Sequence, residues 1–213
     1  MGSQGSTESS ITPVVTLFGT YGAGVDNVGR RVAEALDLPY HPQAFSSQTL
    51  AGSRDADPAE RAMLDRVIDV LGRAHAPEGA HDEATTDGMI HELVQENDLR
   101  VWAAAESGGV IVGRNGPVVL AGRPATVHVM LTGPVEDRIA RAAEELGIPL
   151  AEAARRQEPE DEIRADMSVV LYGWDPREPG RYDLVLDTSR TSIEEAVDTI
   201  LAAVRGSTGG TPG

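Results

Sequence analysis

Between residues 19 and 26 the chain reads Gly19-Thr20-Tyr21-Gly22-Ala23-Gly24-Val25-Asp26, and the chemistry such a run can do is to cradle phosphate. Glycines let successive backbone N–H groups curl around an anion. In the full pattern, G-x-x-x-x-G-K-[ST], a lysine then reaches the outer phosphates and a hydroxyl holds magnesium. Gly19 and Gly24 keep that spacing, but Val25 stands at the lysine position and Asp26 at the hydroxyl position. The chain has no lysine at all: its 18 basic side chains are all arginine. The candidate binding residues are Gly19, Tyr21, Gly22, Ala23, Gly24, Val25 and Asp26. A carboxylate beside a phosphate costs about 4 kcal/mol at ~4 Å and an effective dielectric near ~20, before screening. Service as a magnesium ligand would offset that cost for Asp26, because magnesium is commonly held by one or two carboxylates together with phosphate oxygens. The other reading of the run is a tight strand-to-helix turn without a ligand, and the residues alone leave both open.

The elements that must position this loop flank it. Residues 14–18, Val-Val-Thr-Leu-Phe, form a short apolar, β-branched run that predicts a buried parallel strand. Residues 27–36 carry Val28, Val32, Ala35 and Leu36 at helical spacing. Strand, glycine loop and helix in that order place a helix N-terminus, with its free N–H groups and partial positive charge, against any bound anion. Further along, residues 37–40 predict a short second strand, 59–71 a helix opened by Pro58, 72–88 a polar loop and 87–106 a second long helix. The runs 109–113 and 125–131 are the strongest strand signals. Residues 134–146 and 150–157 read as helices, 182–187 as the last strand and 192–204 as the closing helix. Strands alternating with helices predict an α/β domain with a mostly parallel sheet flanked by helices. The expected boundaries are a tail over 1–11, a domain over 12–205 and a tail over 206–213.

Composition excludes several function classes. There is no cysteine, so disulfides and thiolate chemistry are unavailable and metal ligands must be His, Asp or Glu. A net charge of -16 argues against broad nucleic-acid binding, which needs a basic footprint, and 4% aromatic residues leave little for base stacking. No apolar stretch is long enough to span a membrane and no signal-peptide pattern opens the chain, so a cytoplasmic protein without a membrane partner is expected. His75, His81 and His91 with Asp82 and Glu83 are the one metal-like grouping. Their spacing provides no helical ligand pair, and a solvated polar loop is expected there.

The order of motifs resembles a known family. A glycine loop, Val112-Gly113-Arg114 after a strand, Glu136-Asp137-Arg138 after the next, an Asp161-x-x-Arg164 segment and Tyr182-Asp183-Leu184-Val185-Leu186-Asp187-Thr188-Ser189 before a final helix are similar to the cytidylate-kinase-like branch of nucleoside monophosphate kinases. The resemblance implies a three-layer P-loop kinase-like fold with a lid-like segment at about 150–180, and ATP and magnesium as cofactors. It implies phosphoryl transfer to a nucleoside monophosphate, CMP in particular. It casts Gly19, Gly22 and Gly24 as the phosphate loop, Arg114 as a holder of the monophosphate, Arg138 and Arg141 as arginines at the start of the lid, and Asp161 with Arg164 as a lid pair near the transferring phosphates. Arginines converging from several elements are what phosphoryl transfer requires, since that reaction needs positioning and positive charge. Arg138 and Arg141 also read as surface helix residues paired with Glu144 or Glu145.

The departures from the family fall on the chemistry. Val25 and Asp26 replace the cationic and hydroxyl positions, where similar chains commonly carry Arg in place of Asp26; His41 stands where relatives tend to have an acid, and Asn115 where they have Asp. The expected function is therefore binding of a nucleotide or other small phosphorylated ligand with weak or lost kinase activity. A sensing or scaffolding pseudoenzyme and a divergent small-molecule kinase are the alternatives. Residues 167–174, Met-Ser-Val-Val-Leu-Tyr-Gly-Trp, are unusually apolar for a lid that opens into water. They are expected to form the contact of a homodimer, the alternative being an added element of the protomer's own core.

Overall fold

Alternation of side chains along a strand decides which face each residue serves, and the first strand, β1 (Val14–Gly19), shows the consequence. Its Val15 and Leu17 enter one core cluster, while Val14 enters another on the opposite face of the sheet. The computed structural model describes residues 11–209. The expected N-terminal tail lies outside these residues except for Ile11, as do residues 210–213. The loop after β1 leads into α1 (Val25–Leu36), followed by β2 (Tyr40–His41), α2 (Ser47–Leu50), α3 (Pro58–Ala74), α4 (Glu83–Glu106), β3 (Gly109–Val112) and α5 (Gly116–Val119). Then come β4 (Thr126–Thr132), α6 (Val135–Leu146), α7 (Leu150–Tyr172), β5 (Leu184–Asp187) and α8 (Ile193–Gly209). The five strands are all parallel in the order β2-β3-β1-β4-β5.

This is the three-layer P-loop kinase-like α/β fold that the sequence predicts. Val28 and Val32 of α1 and Ile200 and Val204 of α8 close one face of the sheet; Val101 and Ala105 of α4 with Leu120 close the other. A separate helical core joins α3, α4 and α7 around Phe45, Val67, Val70 and Leu93. No helix among the described residues is long and apolar enough to cross a membrane.

Three local expectations are corrected. The polar loop predicted over 72–88 is shorter, because α3 runs to Ala74 and α4 begins at Glu83, where Asp82 caps it by accepting the Thr85 N–H at 3.0 Å. The helix predicted over 150–157 continues through Pro159 to Tyr172. Its buried positions are Ala153, Glu160, Ala165 and Ser168, so no apolar stripe announces it. The closing helix predicted over 192–204 runs from Ile193 to Gly209.

The apolar run at 167–174 does not form an outward surface. Met167, Val170 and Leu171 pack on the α3/α4/α7 core. The Tyr172 hydroxyl donates to Asp98 at 2.8 Å, and Trp174, 8% exposed, donates its indole N–H to Asn115 at 2.8 Å. Only Val169 is left largely exposed among the run's large apolar side chains. The long helices α3 and α4 bury most of the run within the protomer itself, the alternative to a contact between copies. Leu171→Ala is accordingly expected to lower the unfolding free energy by roughly 2 kcal/mol, the low end for a buried leucine, with unchanged sedimentation. A dimer that dissociates on this substitution would contradict the packing.

Candidate functional site

Parallel strands deliver their carboxyl ends to one edge of the sheet, where ligands of such folds bind. At that edge lie the glycine loop after β1, the turn Gly113-Arg114-Asn115 after β3, and Thr188 after β5. Gly22 and Gly24 have φ of 75° and 78°, which glycine tolerates without a steric cost. Gly24 starts α1 with no side-chain cap, so the first N–H groups of the helix remain available to an anion. A Cβ on Gly22 would lie 2.0 Å from the Arg138 carbonyl oxygen, so α6 presses directly on the loop and only glycine fits.

The arginines of α6 hold the loop from behind. Arg138, 5% exposed, donates to the Tyr21 carbonyl at 2.8 Å, to Asp161 at 2.9 Å and to the Gly133 carbonyl at 3.0 Å. Arg141 donates to the Gly22 carbonyl at 3.0 Å and to the Thr188 hydroxyl and carbonyl at 2.8 and 2.5 Å. Asp161 accepts the Tyr21 N–H at 2.6 Å and the Gln157 amide at 2.7 Å. Arg138, Arg141 and Asp161 are thus brought together with Tyr21 and Gly22 as a brace that ties α6 and α7 to the loop.

In front of the loop lies a cavity of about 70 Å³ bordered by Asp26, Glu145, Glu160 and Arg164. Glu160 is 3% exposed; one carboxylate oxygen accepts from Ser47 at 2.8 Å and Arg164 at 3.2 Å, while the other has no partner. Burial pushes its carboxyl up from the ordinary glutamate value. Val25 is buried in the sheet core and supplies no charge, and Tyr40 donates its hydroxyl to Asp26 at 2.5 Å. Among the described residues no group of three or more His, Asp or Glu side chains is placed to hold a metal, the His75/His81/His91 stretch included. The small cavity is thus bordered by three carboxylates and a single arginine.

The larger cavity, about 590 Å³, lies between the ends of β1 and β3 and the helices α3, α4 and α7. Its walls are aromatic and aliphatic, with Phe18, Phe45, Leu93, Trp174 and Tyr182 among them. Four arginines reach it. Arg66 and Arg100 share Glu96 at 3.0 and 2.6 Å, and Arg164 pairs with Glu160. Arg164 also donates to the Gln43 side chain. Arg114, half-buried, alone of the four makes no ion pair among the described residues; its Nε donates to the Pro42 carbonyl at 3.3 Å. Burial, with the charge of Arg100 nearby, draws its guanidinium below the ordinary arginine value. The Glu60 carboxylate, on the same cavity wall, acts weakly the other way without pairing with it, so a partly desolvated cation with no ion pair among the described residues is stabilised by an anion the cavity admits.

Arg114 and Arg164 therefore share the large cavity, Arg164 also borders the small one, and Arg138, Arg141 and Asp161 sit behind the loop. Sequence reasoning missed Gln43, Asn97 and Glu160. Glu160 lies in a run, Glu158-Pro159-Glu160-Asp161-Glu162, that reads as a solvated charge patch, and nothing in the sequence marks it as the buried member.

A model of the cytidylate kinase-like family matches residues 14–190. The cytidylate kinase of Methanopyrus kandleri is 31% identical over 204 residues, covering 92% of this chain and 94% of that protein. A protein of Corynebacterium glutamicum described as a uronate isomerase is 33% identical over 110 residues, which cover 52% of this chain but only 21% of that longer protein. The crystal structure of an uncharacterized protein from Eubacterium ventriosum superposes with a TM-score of 0.62 at 15% identity, covering 91% of this chain and 99% of that one, a likeness of fold alone.

Proposed function

We propose that this chain, which belongs to the cytidylate kinase-like family, binds a nucleoside monophosphate in its large cavity and transfers phosphate to it weakly or not at all. CMP is the first ligand to test, because cytidylate kinase is the described activity of its relative along nearly its full length. The family implies ATP and magnesium in general. At this loop the cation of the transfer step is replaced by Val25, and Asp26, Glu145 and Glu160 border the space where outer phosphates would sit. Catalysis of phosphoryl transfer is mostly positioning and charge stabilisation, so those substitutions remove more from the reaction than from ligand binding.

The observation that carries this reading is the division of charge between the two cavities. The small one is bordered by three acids and one arginine, whereas the large one is lined by Asp57, Glu60 and Glu96 and by four arginines, of which the half-buried Arg114 has no carboxylate paired to it among the described residues. Titration calorimetry with CMP and with cytidine tests it. The wild type is expected to bind CMP more tightly than cytidine. Arg114→Gln is expected to weaken CMP by roughly 10- to 100-fold, as for loss of a hydrogen bond to a charged group, and to leave cytidine unchanged. Equal affinity of CMP for the wild type and the variant would remove the basis of the reading.

A further inference from the structure

Arg114 sits in the middle of three consecutive residues in the left-handed region: Gly113, Arg114 and Asn115 have φ of 68°, 57° and 56°. Glycine adopts this conformation freely, but side chains bearing a Cβ do so only when surrounding contacts over-determine it. Here the contacts come from the two long helices that form the cavity's far wall. Asn97 of α4 donates one amide hydrogen to the Arg114 carbonyl at 2.9 Å and the other to the Tyr172 hydroxyl at 2.7 Å. Tyr172, the last residue of α7, donates in turn to Asp98 at 2.8 Å. The indole N–H of Trp174 fixes the Asn115 side chain at 2.8 Å. Both ends of the left-handed pair are thus tied to the α4/α7 wall.

We infer that Asn97 and Tyr172 are positioning residues for the anion site: they do not supply charge, but hold the turn in the conformation that aims the Arg114 guanidinium into the large cavity. The inference rests on the reading that Arg114 receives the phosphate of the ligand. It also explains why α7 ends in an apolar run closed by Tyr172 and Trp174, since that run anchors the chain that holds the turn. Loss of the Asn97 side chain leaves the Arg114 carbonyl without its donor, and the turn is then free to relax toward an ordinary backbone conformation and carry the guanidinium out of line.

Asn97→Leu and the milder Tyr172→Phe, which keeps the ring, test this against CMP and cytidine. Asn97→Leu is expected to weaken CMP roughly tenfold and cytidine by a clearly smaller factor, because Asn97 also lines the cavity, and Tyr172→Phe to act in the same direction by a smaller factor. If Asn97→Leu fails to fold, Tyr172→Phe carries the comparison alone. In an Arg114→Gln background, either substitution should have no further effect on CMP. Equal weakening of both ligands, or additive losses with Arg114→Gln, would overturn the inference while leaving the Arg114 reading intact. Unchanged CMP affinity in Arg114→Gln would instead defeat that reading. The inference is then decided by the Nε–H resonance of Arg114 in the ligand-free protein, which must move in Asn97→Leu and Tyr172→Phe; an unmoved resonance overturns it.

Discussion

Arg138→Met is expected to lower the unfolding free energy by about 3–5 kcal/mol, the usual cost of breaking a buried ion pair by removing one partner. Methionine replaces the stem of the arginine, so little packing is lost. What is lost is the guanidinium fork that joins Asp161 to the Tyr21 and Gly133 carbonyls. The Asp161 side chain is only 11% exposed, so an uncompensated charge is left against the loop. Urea unfolding followed by the fluorescence of Trp102 and Trp174 measures the change. Adding Asp161→Leu to Arg138→Met should recover much of the loss, because replacing both members of a buried pair by apolar groups is often near neutral. An Arg138→Met protein as stable as the wild type would show that the guanidinium is not committed to the loop and is free to serve a ligand.

That expectation separates two roles that the sequence could not. The order of elements and the glycine loop were legible because each is a local pattern, β-branched runs bounded by Gly or Pro, helical spacing of Val28 and Val32, glycines at a fixed interval; the arginine on the β3 turn was singled out by the family resemblance. The fate of Arg138 and Arg141 was not, since their partners Tyr21 and Gly22 lie 117 and 119 residues away in the chain. The helix α7 was hidden by Pro159 and by a buried face made of Ala, Ser and Glu rather than of large apolar residues. Its apolar end, in contrast, was visible, but the sequence left open whether it packs inside the protomer or against a second copy. Met167, Val170 and Leu171 look like a surface seeking a partner until α3 and α4 are folded beside them. Asn97 was invisible for a simpler reason: within the polar stretch Gln95-Glu96-Asn97-Asp98 one amide looks like any other until Arg114 and Tyr172 are brought to it.

The proposal that the fold keeps a ligand cavity while giving up efficient transfer is tested most directly by a coupled assay with ATP, magnesium and CMP. A single cation on the transferring phosphoryl group, in the well-measured case of an arginine finger, is worth roughly a thousandfold or more in turnover. Here Val25 replaces that charge and Asp26, Glu145 and Glu160 oppose it. Turnover below about 0.01 s⁻¹ is therefore expected, against ~1–100 s⁻¹ for ordinary kinases, in a preparation that still binds CMP by calorimetry. Val25→Lys should raise the rate if the missing cation is the main deficit. Wild-type turnover within the ~1–100 s⁻¹ range would contradict the claim, because it would mean that this lysine-free, carboxylate-bordered loop holds and activates ATP as it stands.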